Sequence, residues 1–178
     1  AMGTHYDHIA SSIRTTIRSK YWDTSRKLFA DTYKHNSFSQ HVNSLAVLAG
    51  IVTGDEAKQV MHSLLTDHDL IQVTIYFRYY LNQALNKAGL GDELLDHLQV
   101  WKEQMALGLT TWAERPEPSR SDCHAWGSSP NIEFYRIILG VDSDAPGFGK
   151  VCIAPNLGTL KKVSGIVPHP LGDIAVDY

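Results

Sequence analysis

The sequence predicts a mainly α-helical fold, built from antiparallel α-hairpins and followed by a few C-terminal β-strands. Two observations support this fold class. Apolar residues recur at helical spacing over the first two-thirds of the chain, and this periodicity disappears near residue 140, where turn-forming residues separate short alternating segments. The connections between the predicted helices are short, which favours either a helical bundle or a toroid of α-hairpins.

The first predicted helix spans residues 6–20, in which Ile9, Ile13 and Ile17 recur every four positions. That spacing places the three side chains on one face of a helix. The short apolar run at residues 28–31 is predicted to be a brief extended segment.

Five further helices are predicted from capping residues and from the glycines that end them. Ser37 or Ser39 can cap the second helix, which stops before Gly50. The third opens with acidic residues in its first turn, where they suit the helix dipole. The third helix spans about 53–65. The last three helices span about 69–88, 92–107 and 122–139, and they end at Gly89, Gly108 and Gly140.

The C-terminal part predicts three or four short strands after a turn-rich linker at residues 145–149. The candidate segments are 151–153, 160–167 and 173–178. So few short strands make a poor independent sheet, so we expect them to pack on the helical part or to belong to a larger β-domain. The expected domains are therefore a partial helical domain at 4–141 and a linker with strands at 142–178.

Composition excludes several classes of protein. A net charge of −3 argues against a nucleic-acid partner, and no apolar run approaches the roughly 20 residues of a membrane span. Residues 1–3 look like a cloning scar, since an alanine precedes Met2. No signal peptide is expected from this start. Cys123 and Cys152 fit no metal or disulfide pattern, so we expect two free thiols and no cofactor or metal.

The segment with the clearest chemistry is residues 108–126, which contain Glu114 between Trp112 and Trp126. Two prolines, Pro116 and Pro118, keep Glu114 in a loop. Aromatic walls can bind the apolar C–H faces of sugars, and a carboxylate beside such walls is what glycoside hydrolysis uses. Taken without further information, the same residues also fit a solvated glutamate and structural tryptophans.

Residues 110–114 and 121–126, which read Thr-Thr-Trp-Ala-Glu and Ser-Asp-Cys-His-Ala-Trp, resemble the signature of bacterial α-L-rhamnosidases of glycoside hydrolase family 78. Residues 146–148, 153–155 and 165–174 look like that family's passage into a terminal β-domain. The resemblance implies an (α/α)6 barrel followed by a β-sandwich. Such a barrel has twelve helices and about six are predicted here, so the chain is expected to hold roughly its second half.

The resemblance also implies a reaction and its residues. Glu114 would be the general base of an inverting hydrolysis of terminal α-L-rhamnose, and His124, Trp126 and Trp112 would bind the sugar. The substrate would be a rhamnose-containing glycoside or polysaccharide. The general acid would lie in the first half of the barrel, so this chain alone is expected to be inactive. Exposed faces of a half-barrel also predict self-association.

Several assignments remain open at this stage. Arg115 can lower the pKa of Glu114, although a solvated surface charge is the favoured reading. Asp67 and Asp69 look like a helix-junction pair rather than the acid, and Gln40 with His41 are weak candidates for the barrel interior. The competing functions are a glucuronyl hydrolase or a polysaccharide lyase on the same toroid, and a non-catalytic sugar-binding or scaffold module.

Overall fold

The fold is mainly α-helical with short C-terminal strands, as the sequence predicts, in a computed structural model that describes residues 2–115 and 117–178. Within these residues the α-helices are α1 Met2–Tyr21, α2 Gln40–Leu48, α3 Gly54–Thr66, α4 Ile75–Lys87, α5 Gln99–Ala106 and α6 Pro130–Glu133. The strands are β1 Trp22–Asp23, β2 Leu28–Phe29, β3 Val141–Ser143, β4 Val151–Ile153, β5 Ser164–Val167 and β6 Ile174–Asp177.

The described chain divides into two units. The first unit holds the chain up to Val73 together with residues 83–89, and the second holds residues 74–82 and the chain from Leu90 onward. The domain boundary predicted at residues 141 and 142 stays a prediction, and Ala1, part of the expected cloning scar, lies outside the described residues.

The core of the first unit forms where α2 and α3 pack near the β1–β2 ribbon. The ribbon is antiparallel and pairs Trp22 with Phe29, so residues 28–29 are extended as predicted. The buried apolar side chains of this core include Leu28, Phe29, Ala46, Val47, Val60, Met61 and Leu64.

The side-chain amide of Asn43 holds α2 against strand β2. Asn43 is fully buried; its Oδ1 accepts a hydrogen bond from the Phe29 N–H at 2.7 Å, and its Nδ2 donates to the carbonyls of Phe29 and Ser39 at 2.9 Å each. Because these backbone groups are shielded from water, the amide supplies the partners that they would otherwise lack. Ser39 is the cap of α2, since its hydroxyl accepts from the Val42 N–H.

The predicted helix at 69–88 begins six residues later than expected, at Ile75. The residues before it are extended because Ile71 exchanges backbone hydrogen bonds with Phe38 and Gln40, each at 3.0 Å. Gln40 is buried and its amide bonds the Leu64 carbonyl and the Val73 N–H, so this residue holds the first unit together. Asp67 pairs with Arg26 at 2.6 Å, in keeping with the expected junction role.

The C-terminal strands form two antiparallel ribbons, β3–β4 and β5–β6. They lie against a π-helical turn, Phe134–Ile138, that continues α6. The Tyr178 hydroxyl donates to the Leu139 carbonyl at 3.0 Å, and a Cβ added at Gly165 would collide with the Leu139 side chain. The predicted helix at 122–139 is shorter than expected, since residues 122–124 lie outside regular secondary structure and a 3-10 turn at Ala125–Ser128 precedes α6.

Replacing Asn43 with alanine should lower the free energy of unfolding by about 2–4 kcal/mol, because buried backbone groups would lose their partners. Urea unfolding at a fixed pH measures this change. Ser44→Ala is the matched control, since the Ser44 hydroxyl is buried without a hydrogen-bond partner among the described residues. Equal losses in the two variants would contradict the role given to Asn43.

Candidate functional site

The loop between α5 and α6 forms a hairpin-like arrangement that carries Glu114 on one limb and His124 on the other. Its two limbs, residues 111–114 and 121–124, are joined by backbone hydrogen bonds from Glu114 N–H to the Ser121 carbonyl at 3.0 Å and from His124 N–H to the Trp112 carbonyl at 2.9 Å. The Thr111 hydroxyl donates to the Asp122 carbonyl as a further link. Pro116, which the sequence suggested as a loop former, lies outside the described residues.

The buried side chain of Gln104 fixes the first limb to helix α5. Its Oε1 accepts from the Ala113 N–H at 2.8 Å and its Nε2 donates to the Ala113 carbonyl at 3.4 Å. Gln104 therefore satisfies both polar groups of the residue immediately before Glu114, which limits how far that carboxylate can move.

Trp112 packs into the interior of the second unit. Its half-buried ring contacts the buried cluster of Ile75, Leu98 and Trp101. Trp112 lines a separate cavity of about 190 Å³ with Trp101 and Leu98, and its role as a wall of the sugar pocket stays a prediction. Its large apolar ring is better accommodated in the core, where it steadies the loop that carries Glu114.

Gly127 fixes the position of the second limb against this core. The Trp101 Nε1 donates to the Gly127 carbonyl at 2.6 Å. A Cβ built at Gly127 would lie 2.5 Å from the Cβ of Trp112, which is closer than real side chains approach. The 3-10 turn that contains Trp126 therefore lies close to Trp112 only because residue 127 has no side chain.

An open cleft of about 570 Å³ lies at the loop, lined by Thr74, Tyr76, Glu114, Arg115, Arg120 and Trp126. Trp126 is 47% exposed, and its ring meets Tyr76 edge to face with centroids 5.7 Å apart. The His124 ring also contacts Trp126, with centroids 4.4 Å apart and an interplanar angle of 37°. Trp126 thus contacts two rings while part of its surface faces solvent.

Arg120 is the main electrostatic partner of Glu114. The guanidinium Nε donates to Glu114 Oε2 at 2.7 Å, and its Nη2 donates to Oε1. The hydrogen bonding to Arg120 lowers the pKa of Glu114, and the charges of Arg120, His124 and Arg115 act in the same direction, while burial opposes them. Glu114 is therefore ionised at neutral pH.

Sequence reasoning named Arg115 in this context and missed Arg120. Arg115 lines the cleft, but its Nε donates to the Pro118 carbonyl at 3.2 Å, and its charge contributes less to the pKa of Glu114 than Arg120 does. The return of the chain at residues 117–121 brings Arg120 opposite Glu114. The sequence feature that could have identified Arg120 is its position directly after the proline-rich loop.

His124 has an unused hydrogen-bonding atom at the site. Its Nε2 is buried and has no hydrogen-bond partner in the described part of the chain. The charge of His124 also lowers the pKa of Glu114, so the two side chains are close enough to interact. Because this nitrogen is buried and His124 is not among the residues that line the cleft, a ligand hydroxyl reaches it only after a change of side-chain conformation.

A second carboxylate that the sequence did not single out is Glu133, at the junction of α6 and the π-helical turn. It is fully buried; Asn82 Nδ2 donates to its Oε2 at 2.8 Å, while its Oε1 has no partner among the described residues. Burial raises the pKa of Glu133 to about 7, against the opposing effect of the Asn82 hydrogen bond. The burial of Glu133 could not be predicted from the sequence, where it is a single acidic residue within a helical segment.

The remaining expectations concern metals, membranes and cysteines. Cys123 and Cys152 are both free, as predicted, and both are exposed. No group of histidine, cysteine, aspartate and glutamate within residues 2–115 and 117–178 is arranged to hold a metal ion. None of the helices in these ranges has the length and apolar character needed to cross a membrane.

Comparison with known proteins gives matches among solved structures. No protein-family model and no curated protein matches the sequence. A GH78 family rhamnosidase of Bacillus sp. GL1 superposes with a TM-score of 0.79 at 27% sequence identity, over 92% of this chain and 19% of the other. A rhamnosidase from Klebsiella oxytoca with rhamnose bound gives a TM-score of 0.68 at 21% identity, over 76% of this chain and 29% of the other. The chain thus spans about a fifth of the first protein and under a third of the second.

Replacing Arg120 with glutamine should raise the pKa of Glu114 toward its ordinary value, since the main hydrogen-bonding cation is removed. A carboxyl carbon NMR titration measures the change directly. The same substitution at Arg115 is the matched control and should raise this pKa less. A larger effect at Arg115 would overturn the assignment of Arg120 as the main partner.

Glu133 should make stability depend on pH. Its pKa is raised from 4.5 to about 7, so its contribution to folding is complete below pH 4.5 and is lost as the pH rises toward 7. The full loss should be roughly 3–4 kcal/mol in the free energy of unfolding, at about 1.4 kcal/mol for each pH unit between these two pKa values.

Urea unfolding at pH 5 and pH 8 tests this, with Glu133→Gln as the comparison. Glutamine is neutral at both values and can still accept from Asn82, so the variant should lose less stability between them. Parallel losses in the two proteins would show that another group is responsible.

Proposed function

The chain is GH78 rhamnosidase-like over most of its length, and on that premise we propose that it belongs to a glycosidase that removes terminal α-L-rhamnose. In that enzyme it would form the side of the sugar-binding cleft that carries the general base. The observation that carries the proposal is an ionised Glu114 in an open cleft beside the exposed ring of Trp126. The substrate would be a rhamnose-containing glycoside or polysaccharide.

The proposed chemistry is hydrolysis with inversion at the anomeric carbon. A carboxylic acid protonates the leaving oxygen while a carboxylate on the opposite face removes a proton from water, with the two groups roughly 6.5–9.5 Å apart. Glu114 can take the second role because it is ionised at neutral pH, while the pairing with Arg120 that lowers its pKa makes it a weaker base. Trp126 would contact the C–H face of the sugar, and His124 Nε2 would bond one of its hydroxyls.

Arg120 constrains how Glu114 could act. Its guanidinium bonds both carboxylate oxygens, and each oxygen keeps a further lone pair that can accept from a water molecule. The Arg120 side chain is 73% exposed and Glu114 is 20% exposed. Arg120 therefore orients the carboxylate without blocking its access to water.

The general acid would come from residues outside the described lining of the cleft. Glu114 is the sole carboxylate among the described residues that line it. Since a positioned acid contributes about 10²–10⁴-fold to such reactions, the chain by itself is proposed to be inactive. The (α/α)6 toroid, of which this chain would form the second half, and self-association through apolar faces both stay predictions.

The same observation favours a second candidate, a module that binds a sugar without cleaving it. One carboxylate held by an arginine beside an aromatic wall is sufficient to bind a hydroxylated ring, whereas hydrolysis needs a second acid. Binding of L-rhamnose by a longer polypeptide that contains this chain, without release of product from any rhamnoside, would favour this alternative.

Replacing Glu114 with glutamine should lower kcat for an aryl α-L-rhamnoside by about 10²–10⁴-fold in a longer polypeptide that contains this chain and the acid, because the base is lost. The release of the aryl alcohol measures turnover, and proton NMR of the first product identifies the anomer.

Glu117→Gln is the matched control, since Glu117 is an exposed carboxylate of the same loop that bonds only the Ser119 N–H in the described contacts. It should retain normal turnover. Normal rates in Glu114→Gln would refute the base assignment, and turnover of uronic-acid substrates alone would favour the glucuronyl hydrolase or lyase class instead.

A further inference from the structure

A buried hydrogen bond joins helix α4 to helix α6. The Nδ2 atom of Asn82 donates to Glu133 Oε2 at 2.8 Å, and neither residue is more than 1% exposed. Asn82 follows Tyr76 on α4. Glu133 ends α6, the short helix that follows Trp126. Because Tyr76 and Trp126 are in ring contact and line the cleft that contains Glu114, this bond is a second link between the two segments that meet there.

The start of α4 also packs directly on the 3-10 turn that contains Trp126. A Cβ built at Gly127 would lie 3.3 Å from the Cδ1 atom of Ile75, so the backbone of this turn touches the first residue of α4. Ile75 also belongs to the buried cluster that Trp112 contacts. Since helices transmit displacements as rigid elements, a change in the position of α4 at Asn82 reaches its contacts with this turn.

Glu133 has no cationic partner in its buried position. None of the ion pairs within residues 2–115 and 117–178 includes it, and its Oε1 accepts no hydrogen bond there. The hydroxyl of Ser129, one turn earlier, is buried and forms no hydrogen bond of normal geometry. In the protonated acid Oε1 can donate a hydrogen bond, whereas the ionised form leaves a charge with one neutral amide donor. Ionisation therefore favours entry of water or displacement of the carboxylate from Asn82.

The other titratable groups on the elements packed against Glu133 do not set its charge. Burial raises the pKa of Glu133 to about 7, the nearby Asn82 and Ser129 oppose this, and no charged residue among those described contributes. Of the residue types on these elements, only histidine ordinarily changes its charge between pH 5 and 8. The titratable residues concerned are Tyr76, Arg78, Tyr79, Tyr80 and Lys87 on α4, Asp92, Glu93, Asp96 and His97 on the 3-10 turn Gly91–His97, Tyr135 and Arg136 on the π-helical turn, and Asp142 on β3.

We infer that Glu133, in its protonated form, is a positioning residue for the cleft that contains Glu114. Through Asn82 it holds α4 in the position that places Tyr76 against Trp126. Ionisation of Glu133 weakens this hold, so the cleft is complete at acidic pH and loosens as the pH rises through neutrality. The inference rests on the proposed function only for the identity of the ligand, since the contacts themselves lie within this chain.

Amide NMR of the chain without ligand, between pH 5 and 8, tests the positioning role. The signals of Tyr76, Trp126 and Gly127 should shift with the same midpoint as the carboxyl carbon of Glu133, which is expected near 7. Glu133→Gln removes the titration and keeps an acceptor for Asn82, so these shifts should disappear in that variant.

Two histidine variants are the controls for this titration. His97→Gln removes the histidine of the neighbouring 3-10 turn, and His124→Gln removes the histidine whose ring contacts Trp126. Both variants should retain the shifts that follow Glu133, because those shifts come from the carboxyl group.

The affinity for methyl α-L-rhamnopyranoside is a readout that a merely structural carboxylate would not change with pH. Its apparent dissociation constant should rise about tenfold between pH 5 and 8, since about one chain in ten keeps Glu133 protonated at pH 8 when the pKa is about 7. By linkage, saturating rhamnoside should raise the pKa of Glu133. Glu133→Gln should bind with similar affinity at both pH values.

Breaking the link from its other end provides an independent variant. Asn82→Ala removes the donor to Glu133 and should weaken binding of the rhamnoside at pH 5. Leu85→Ala is the matched control, since Leu85 is buried on the next turn of α4 and makes no contribution to this hydrogen bond. It should lower stability without weakening the binding.

The outcomes separate this inference from the proposed function. If Glu133 does not titrate between pH 5 and 8, if it titrates without moving the three amide signals, or if they move equally in Glu133→Gln, the inference is wrong whether or not a rhamnoside binds. Equal affinities at the two pH values overturn it as well. If the signals follow Glu133 but no rhamnoside binds at either pH, the positioning role stands and the proposed function fails.

Discussion

The candidate site depends on the hydrogen bonds between the Gln104 amide and the backbone of Ala113. A loop with two prolines and several polar residues has little apolar surface to hold it in place, and both polar groups of Ala113 are buried. The amide of Gln104 satisfies them from within helix α5, so the loop is joined to a regular element one residue before Glu114. The packing of Trp112 on Trp101 adds an apolar contact at the adjacent position.

Two carboxylates of the second unit show how local surroundings set the charge of the same chemical group. Glu114 accepts hydrogen bonds from an exposed guanidinium, which lowers its pKa, whereas Glu133 is enclosed by the helical core and has its pKa raised to about 7. Desolvation acts against ionisation in both, but only Glu114 has a cation within hydrogen-bond distance to outweigh it. Glu114 is therefore ionised at neutral pH, whereas Glu133 titrates near it.

The sequence predicted the fold class more successfully than the bounds of its elements, and the position of the site stays a prediction. Periodicity and glycines identified the helices, because an amphipathic pattern and a left-handed terminator are local properties. The start of α4 was wrong because Ile71 pairs with Phe38 and Gln40, and local propensity does not report such distant pairing. The structural matches to rhamnosidases confirm the family resemblance stated on residues 110–126.

Within the site, sequence patterns identified the residue types but not their partners. Glu114 and Trp126 line one cleft, whereas Trp112 turns into the core, and nothing in the spacing of the tryptophans distinguishes the two. Arg120 and Glu133 were missed because their importance comes from a loop reversal and from burial, respectively. The roles assigned to Glu114, His124 and Trp126 remain predictions that rest on the family resemblance and on this geometry.

The missing side chain at Gly127 has a consequence for altering this protein. The direction of the backbone at Trp126 is set by the close approach of residue 127 to Trp112 and by the carbonyl that Trp101 binds, and not by the indole of Trp126 itself. Libraries that vary residue 126 should therefore exchange one recognition surface for another on an unchanged scaffold. The same diversity introduced at residue 127 would instead disturb the scaffold, so that position should be kept fixed during engineering.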